Sequence, residues 1–348
     1  MQSSFRKGIL IAGALLVSSF GISAQKDLNN PTGRSGLLLI DKRGNHVRFF
    51  DPATFKELSN FSTGAKAPHD FAISADHRTA YIPIYGDGVI RNNPNPGTEI
   101  LIVDLASRKL TGTIDISPYQ APHGIQVDAN GMIYVVCDIS KKLLIVNPNT
   151  RKIEAAIDVE GSGHWLALMP GATRAYVSLQ GGGDFISIID LKARAMVGRI
   201  PVPGGTVGIT ASPDGKRVFA MAGSRTAPPT VLIVDTATDS IVDRVALQGH
   251  SEPGYKLKVS LDGTMLITCA YAGTGESYVN LLRMSDLHGK QLVMNAGRAP
   301  MGFAFAPDSR TALVANDGDG TVTVVDLQRG VVTNTFKGGT GIETLSYY

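Results

Sequence analysis

Three histidines stand at one repeated position in this chain. Pro68-His69, Pro122-His123 and Gly163-His164 each open a short run of strand-forming residues. They recur roughly 40 to 55 residues apart, a period that marks a structural repeat. Only 7 histidines occur in the whole chain, so three on one position is a strong concentration. Imidazole at such a point ligates Zn, Cu, Fe, Mn or Ni, binds haem iron axially, or exchanges protons near pH 7. Three convergent imidazoles match the protein ligand count of an open metal site. His69, His123 and His164 are therefore candidate ligands of a divalent metal ion and candidate catalytic groups. The plain alternative is that they satisfy backbone groups and waters along a wet channel.

The elements that position them are strands and turns. Ser212-Pro213-Asp214-Gly215-Lys216-Arg217-Val218-Phe219 parallels Ala306-Pro307-Asp308-Ser309-Arg310-Thr311-Ala312-Leu313. Val103-Asp104-Leu105, Ile189-Asp190-Leu191, Val234-Asp235-Thr236 and Val325-Asp326-Leu327 form a second repeated signature. Complete four-strand units fall at 68–121, 122–163, 164–205, 206–253, 254–299 and 300–339. Residues 36–67 supply three strands and the tail 340–348 supplies one. The expected fold is all-β: a seven-bladed β-propeller of four-stranded antiparallel blades, closed by strand exchange between the two ends. Closure removes the sheet edges an open array would expose. Aligned on the entry to the innermost strand, the seven positions are His69, His123, His164, Val207, Tyr255, Met301 and Gly341.

Strand order divides the loops between two faces. The one–two and three–four turns are short, and their Asp, Asn and Gly residues make tight turns. The other face carries long segments at 86–98, 181–184, 222–230, 248–253 and 271–277. Irregular loops on a rigid scaffold are where binding residues concentrate. Arg91, Asp184, Arg225 and Glu276 are candidate ligand contacts there, with Asp87 beside them and Tyr255 as a stacking surface. His250 and Glu252 lie in the same face. Asp138 and Asp317, which follow second strands, are weaker ligand candidates that read first as solvated loop charges; Trp165 offers a stacking surface at the channel mouth but reads first as packing between blades.

Tyr134-Val135-Val136, Tyr176-Val177-Ser178, Leu313-Val314-Ala315-Asn316 and the turn Val234-Asp235-Thr236-Ala237-Thr238 resemble the YVTN-repeat propellers, including the YncE-like periplasmic proteins. The likeness extends more distantly to the propeller domain of haem-d nitrite reductase. It spans residues 36–348 and implies fold more than function, because the shared residues make strands and turns. By analogy it implies a partner or subunit of a periplasmic quinone- or haem-dependent dehydrogenase.

Arg6 and Lys7 precede an apolar run over 8–22 that is too short to span a bilayer. Ser23-Ala24 offers a small-residue cleavage point before Gln25. Residues 1–24 are therefore expected to be a signal peptide, 25–35 a polar arm, and the mature chain periplasmic or secreted. No later segment is long and apolar enough to span a membrane. The net charge of +3 and the scattered Lys and Arg argue against a nucleic-acid partner. Cys137 and Cys269 occupy equivalent positions in distant repeats and are expected to be buried, unbridged thiols. Without Cys-x-x-Cys-His there is no covalent c-type haem. No nucleophile elbow or phosphate loop is present. The favoured expectation is a monomeric binding or accessory protein for a small ligand, cofactor or partner protein, on the long-loop face. The alternative is an enzyme using the three-histidine ring: a metal-dependent lyase, a lactonase-type hydrolase or an oxidoreductase.

Overall fold

The computed structural model describes residues 36–89, 92–180, 183–224, 227–248, 252–271 and 277–348. The expected signal peptide and arm lie outside these residues, as do Arg91, Arg225, His250 and Glu276. Tyr255 belongs to the strand Glu252–Val259, but its side chain is outside the description.

Seven antiparallel sheets make the seven blades, and strands within each follow chain order. The closing blade, here blade 1, combines Ile342–Tyr347 with Leu37–Asp41, His46–Phe50 and Glu57–Ser62. In it Leu37 pairs with Tyr347, Leu39 with Leu345 and Ile40 with Thr344. The three-plus-one count read from the sequence is thus the observed closure. Blades 2 to 7 follow in order around the ring. The only helical turn among the described residues is Pro170–Ala172.

Second strands such as Leu37–Asp41 and Ile133–Cys137 are buried at every residue. They lie between strands within a blade and between blades on both faces, so they read as continuous apolar runs. Fourth strands form the outer edges. Lys152–Asp158 alternates exposed and covered residues and carries charge, which discourages edge pairing. Seven apolar clusters fill the seven gaps between blades. One joins Tyr134, Val136 and Ile145 of blade 3 to Leu166, Val177 and Ile189 of blade 4. Another joins Leu313 and Val324 of blade 7 to Leu37 and Leu345 of blade 1. Each blade covers its neighbour, so the core is a ring around a channel.

The turn aspartates act locally. Asp76, Asp128, Asp214, Asp262 and Asp308 each accept an N–H from two residues ahead. Cys137 and Cys269 are buried, and no disulfide joins them. Burial pushes the Cys137 thiol well above its ordinary range. Among the described residues no helix is long and apolar enough to cross a membrane.

Candidate functional site

The innermost strands line the channel, and those of the histidine-bearing blades carry an irregularity where they enter. The register slips between Val135 and Cys137 in blade 3, and between Gly163 and Leu166 in blade 4. In blade 2 the inner strand is broken into Ala67–Pro68 and Ala72–Ile73, with His69 in the gap. A bulge turns side chains away from the regular pleat. His123 and His164 lie within these slips, so they leave the blade face and enter the channel.

The structure gathers the three histidines. His69 Nδ1 lies 3.1 Å from His123 Nε2, and the His123 and His164 ring centroids are 4.1 Å apart. All three are buried, at 4, 3 and 8 % exposure. They form a cluster inside the channel and not an open ring at its mouth.

The seventh member of the tier is Glu343, and Gly341 does not occupy that place. A Cβ added to Gly124 would meet His164 O and Trp165 Cα; one added to Gly302 would meet Glu343 O and Thr344 Cα. Glu343 therefore stands to blade 7 as His164 stands to blade 3. The closing strand starts late because the preceding loop is pinned elsewhere. The N–H groups of Thr340 and Gly341 both donate to Asp41 Oδ1. Those two residues displace the alignment that placed Gly341 in the ring.

A second tier comes from the ends of second strands. Lys42, Asp138 and Asp317 directly follow second strands, and Tyr85 is the penultimate residue of another. Lys42 Nζ lies 2.6 Å from Glu343 Oε2. Tyr85 donates to Asp138 Oδ2 at 2.8 Å, and its ring packs tilted against His69 with centroids 4.4 Å apart. Arg43 Nη2 pairs with Asp317 Oδ2 at 2.6 Å. Asp138 and Asp317 are 3 and 6 % exposed, which corrects their reading as solvated loop charges. They are drawn inward because the second strands end at the channel, where a base or phenol partner waits.

A third tier follows the first by one residue. Lys256 Nζ lies 3.4 Å from Asp70 Oδ1, 3.4 Å from Thr344 Oγ1 and 3.8 Å over the Trp165 ring. Trp165 also packs in the core between blades 4 and 5, so its two faces meet the two readings of it, packing and a surface that a neighbour covers. These residues border a cavity of about 630 Å³ that continues past Lys258, Gln126 and Ser212 to the one–two turns at Asp128 and Pro213. The cavity is therefore toward the short-turn side. On its other side lie the buried imidazoles, with Tyr85, Lys42 and Glu343 against them.

Of the long-loop candidates within the description, Asp184 is exposed and accepts an N–H from Gly204, in the connection that leaves the same blade. Asp87 likewise holds Asn95. Neither is brought to the histidines.

Burial sets the protonation of the cluster. It pushes all three imidazoles below their usual range, His164 to about 3, with Lys256 and Lys42 adding repulsion. They are neutral at pH 7, so their ring nitrogens keep lone pairs. Burial also raises the Glu343 carboxyl, against the pull of Lys42. Lys258 is pushed down to about 8, by burial first and then by Lys256.

This has a consequence for acid stability. A histidine neutral in the fold and near 6.5 when unfolded lets the unfolded chain bind more protons as pH falls. Its contribution is complete above about pH 6.5 and is lost progressively toward pH 3. For His164 alone the loss between pH 8 and 5 is about 2 kcal/mol. Urea denaturation of the His164→Gln variant should show a flatter pH dependence over that interval than the parent. Parallel curves would place the acid sensitivity elsewhere.

No protein-family model matches the chain, and no curated protein matches it. The YVTN likeness therefore remains a resemblance in strand and turn residues. In structure, 1649 solved chains match, so the architecture is too widely shared to specify an activity. One of them is from the hydrazine synthase of Kuenenia stuttgartiensis. It has a TM-score of 0.70 and 19% identity, covering 82% of this chain and 91% of that one. At this identity the likeness is one of fold alone. The chain is a seven-bladed β-propeller with a buried, histidine-rich polar hub.

Proposed function

We propose that this protein is an exported binding propeller, periplasmic or secreted, that holds a small anionic molecule in its central channel. It would act alone or as an accessory to a partner protein. One observation carries the reading: three groups on the cavity wall, beside the carboxylates of Asp70 and Asp128, can only donate. Lys256, Lys258 and Trp165 line it, and the buried Trp165 Nε1 has no hydrogen-bond partner. Ammonium and indole N–H groups have no acceptor capacity, so they call for an acceptor-rich guest. Asp70, beside Lys256, would orient that guest and reject a second negative group on its own side. The cavity is in the size range of small-molecule sites. The export part rests on Arg6-Lys7, the apolar 8–22 run and Ser23-Ala24.

Trp165 is the single tryptophan of the chain, which makes its emission a local reporter. Protein is recovered from the exported fraction, where its N-terminus is expected near Gln25. It is then titrated with a panel of small carboxylates and phosphates. At least one should change the emission saturably, and Lys256→Met should weaken that binding by about tenfold or more, as expected for a charged hydrogen bond. Saturable changes from neutral analogues only, or from none of the panel, would reject the anion reading.

A further inference from the structure

We propose that His69, His123 and Glu343 form a binding site for one transition-metal ion, independent of the cavity guest. Their ligand atoms lie within 4.8 Å of one another, and all three side chains are buried. Two of the separations are close to those of a coordination shell. His69 Nδ1 is 3.1 Å from His123 Nε2 and 3.6 Å from Glu343 Oε1. Ligands about 2.0–2.2 Å from a common metal sit roughly 3.0–3.5 Å apart, so the first distance is already such an edge, the second is slightly longer, and His123 and Glu343, within 4.8 Å, would draw in on the ion by small side-chain rotations.

A hydrogen bond between the two imidazoles does not complete the cluster. Each ring would donate or accept through its inner nitrogen, while His69 Nε2 and His123 Nδ1 have no partner. In either tautomer a buried N–H is left without an acceptor. His164 Nδ1, beside them, is buried without a partner as well. Three imidazoles are thus held together beside a carboxylate with their hydrogen bonding incomplete, a rare condition for buried polar groups.

The donor set selects the class of ion. Two neutral imidazoles and one carboxylate suit Zn, Fe, Co, Ni or Cu better than Ca or Mg, which prefer all-oxygen shells. Three protein ligands leave positions open for water or an added anion. Lys42 acts as a positioning residue. Its ammonium holds Glu343 Oε2 and leaves Oε1 facing His69. Tyr85, packed against both His69 and His123, keeps the two rings from turning away. Ordering of this kind commonly contributes 10–100-fold to metal affinity.

The test uses the whole mature protein, freed of metal by a chelator and titrated with Co(II) and then Zn(II) alone. No organic ligand is present, so the outcome does not depend on the anion reading. One equivalent of Co(II) should bind, give visible d–d bands, and be displaced by one equivalent of Zn(II). His69→Ala, His123→Ala and Glu343→Gln should each lower affinity more than about 100-fold, and Lys42→Met about tenfold. His164→Gln should stay within about threefold, because its nitrogens are outside the three-ligand set. Circular dichroism establishes that each variant is folded. Where an alanine variant is not, His69→Gln or His123→Gln replaces it, keeping volume without a metal-binding imidazole. Three results would overturn the proposal. One is a folded parent that binds no Co(II). Another is binding that survives all three ligand substitutions, which would assign the ion to exposed groups such as His288 and Asp243. The third is binding lost in His164→Gln and kept in Glu343→Gln, which would make the centre all-histidine.

Discussion

A chain ending at Gly339 should fail to reach a cooperatively folded state. The missing segment contains the innermost strand of blade 1, and its side chains are core residues. Ile342, Leu345, Tyr347 and Tyr348 are 0, 2, 6 and 3 % exposed. Burial of a large apolar side chain stabilises by about 1.5–3 kcal/mol, so these four account for roughly 6–12 kcal/mol. Whole domains are stable by only about 5–15 kcal/mol. Leu37 to Ile40 would lose a full ladder of backbone partners and expose a hydrophobic edge. The Tyr348 ring, edge-on to Phe49 at 6.3 Å, would leave the gap between blades 1 and 2. A thermal melt followed by circular dichroism should show no sharp transition. A truncated protein that melts within a degree or two of the full chain would refute closure through this strand.

The propeller was legible because its evidence is local. Turn aspartates, strand runs and the recurring Val-Asp-Leu signature each report on a few neighbouring residues, and counting them yields seven blades and the shared one. The histidines were legible for the same reason, since each follows Pro or Gly at the same place in its unit. What the sequence concealed depends on two or more blades together. Glu343 was displaced in the alignment by the two residues pinned on Asp41, a contact between opposite ends of the chain. Lys42, Asp138 and Asp317 look like ordinary turn charges until second-strand ends are seen to face the channel. Lys256 resembles a surface lysine in its strand, and only its approach to Asp70 and Trp165, from other blades, gives it a role. The cavity is lined by residues from every blade, and no motif records their juxtaposition.

The contact that misled the alignment also holds the ring together, and Asp41→Ala should cost about 3–5 kcal/mol. Asp41 is fully buried. One carboxylate oxygen accepts N–H groups from Gly44, Thr340 and Gly341; the other accepts Arg48 Nε at 2.8 Å. Alanine removes every one of these acceptors at once and leaves buried donors and a guanidinium without their anion, which is the expensive way to break such a network. Urea denaturation should show a lower midpoint with an unchanged slope, because the surface exposed on unfolding stays the same. A loss under about 1 kcal/mol would mean that water replaces the carboxylate at little cost. The effect should reach the hub as well. Lys42 follows Asp41 directly, and Glu343 follows Gly341 by two residues, so the carboxylate sets the approach of the pair that faces His69. Co(II) affinity of the folded Asp41→Ala protein should therefore fall together with stability, while Asp243→Ala on the outer edge should change neither. Unaltered metal affinity in a destabilised Asp41→Ala protein would show that the hub geometry is held by its own tiers and not by the closure of the ring.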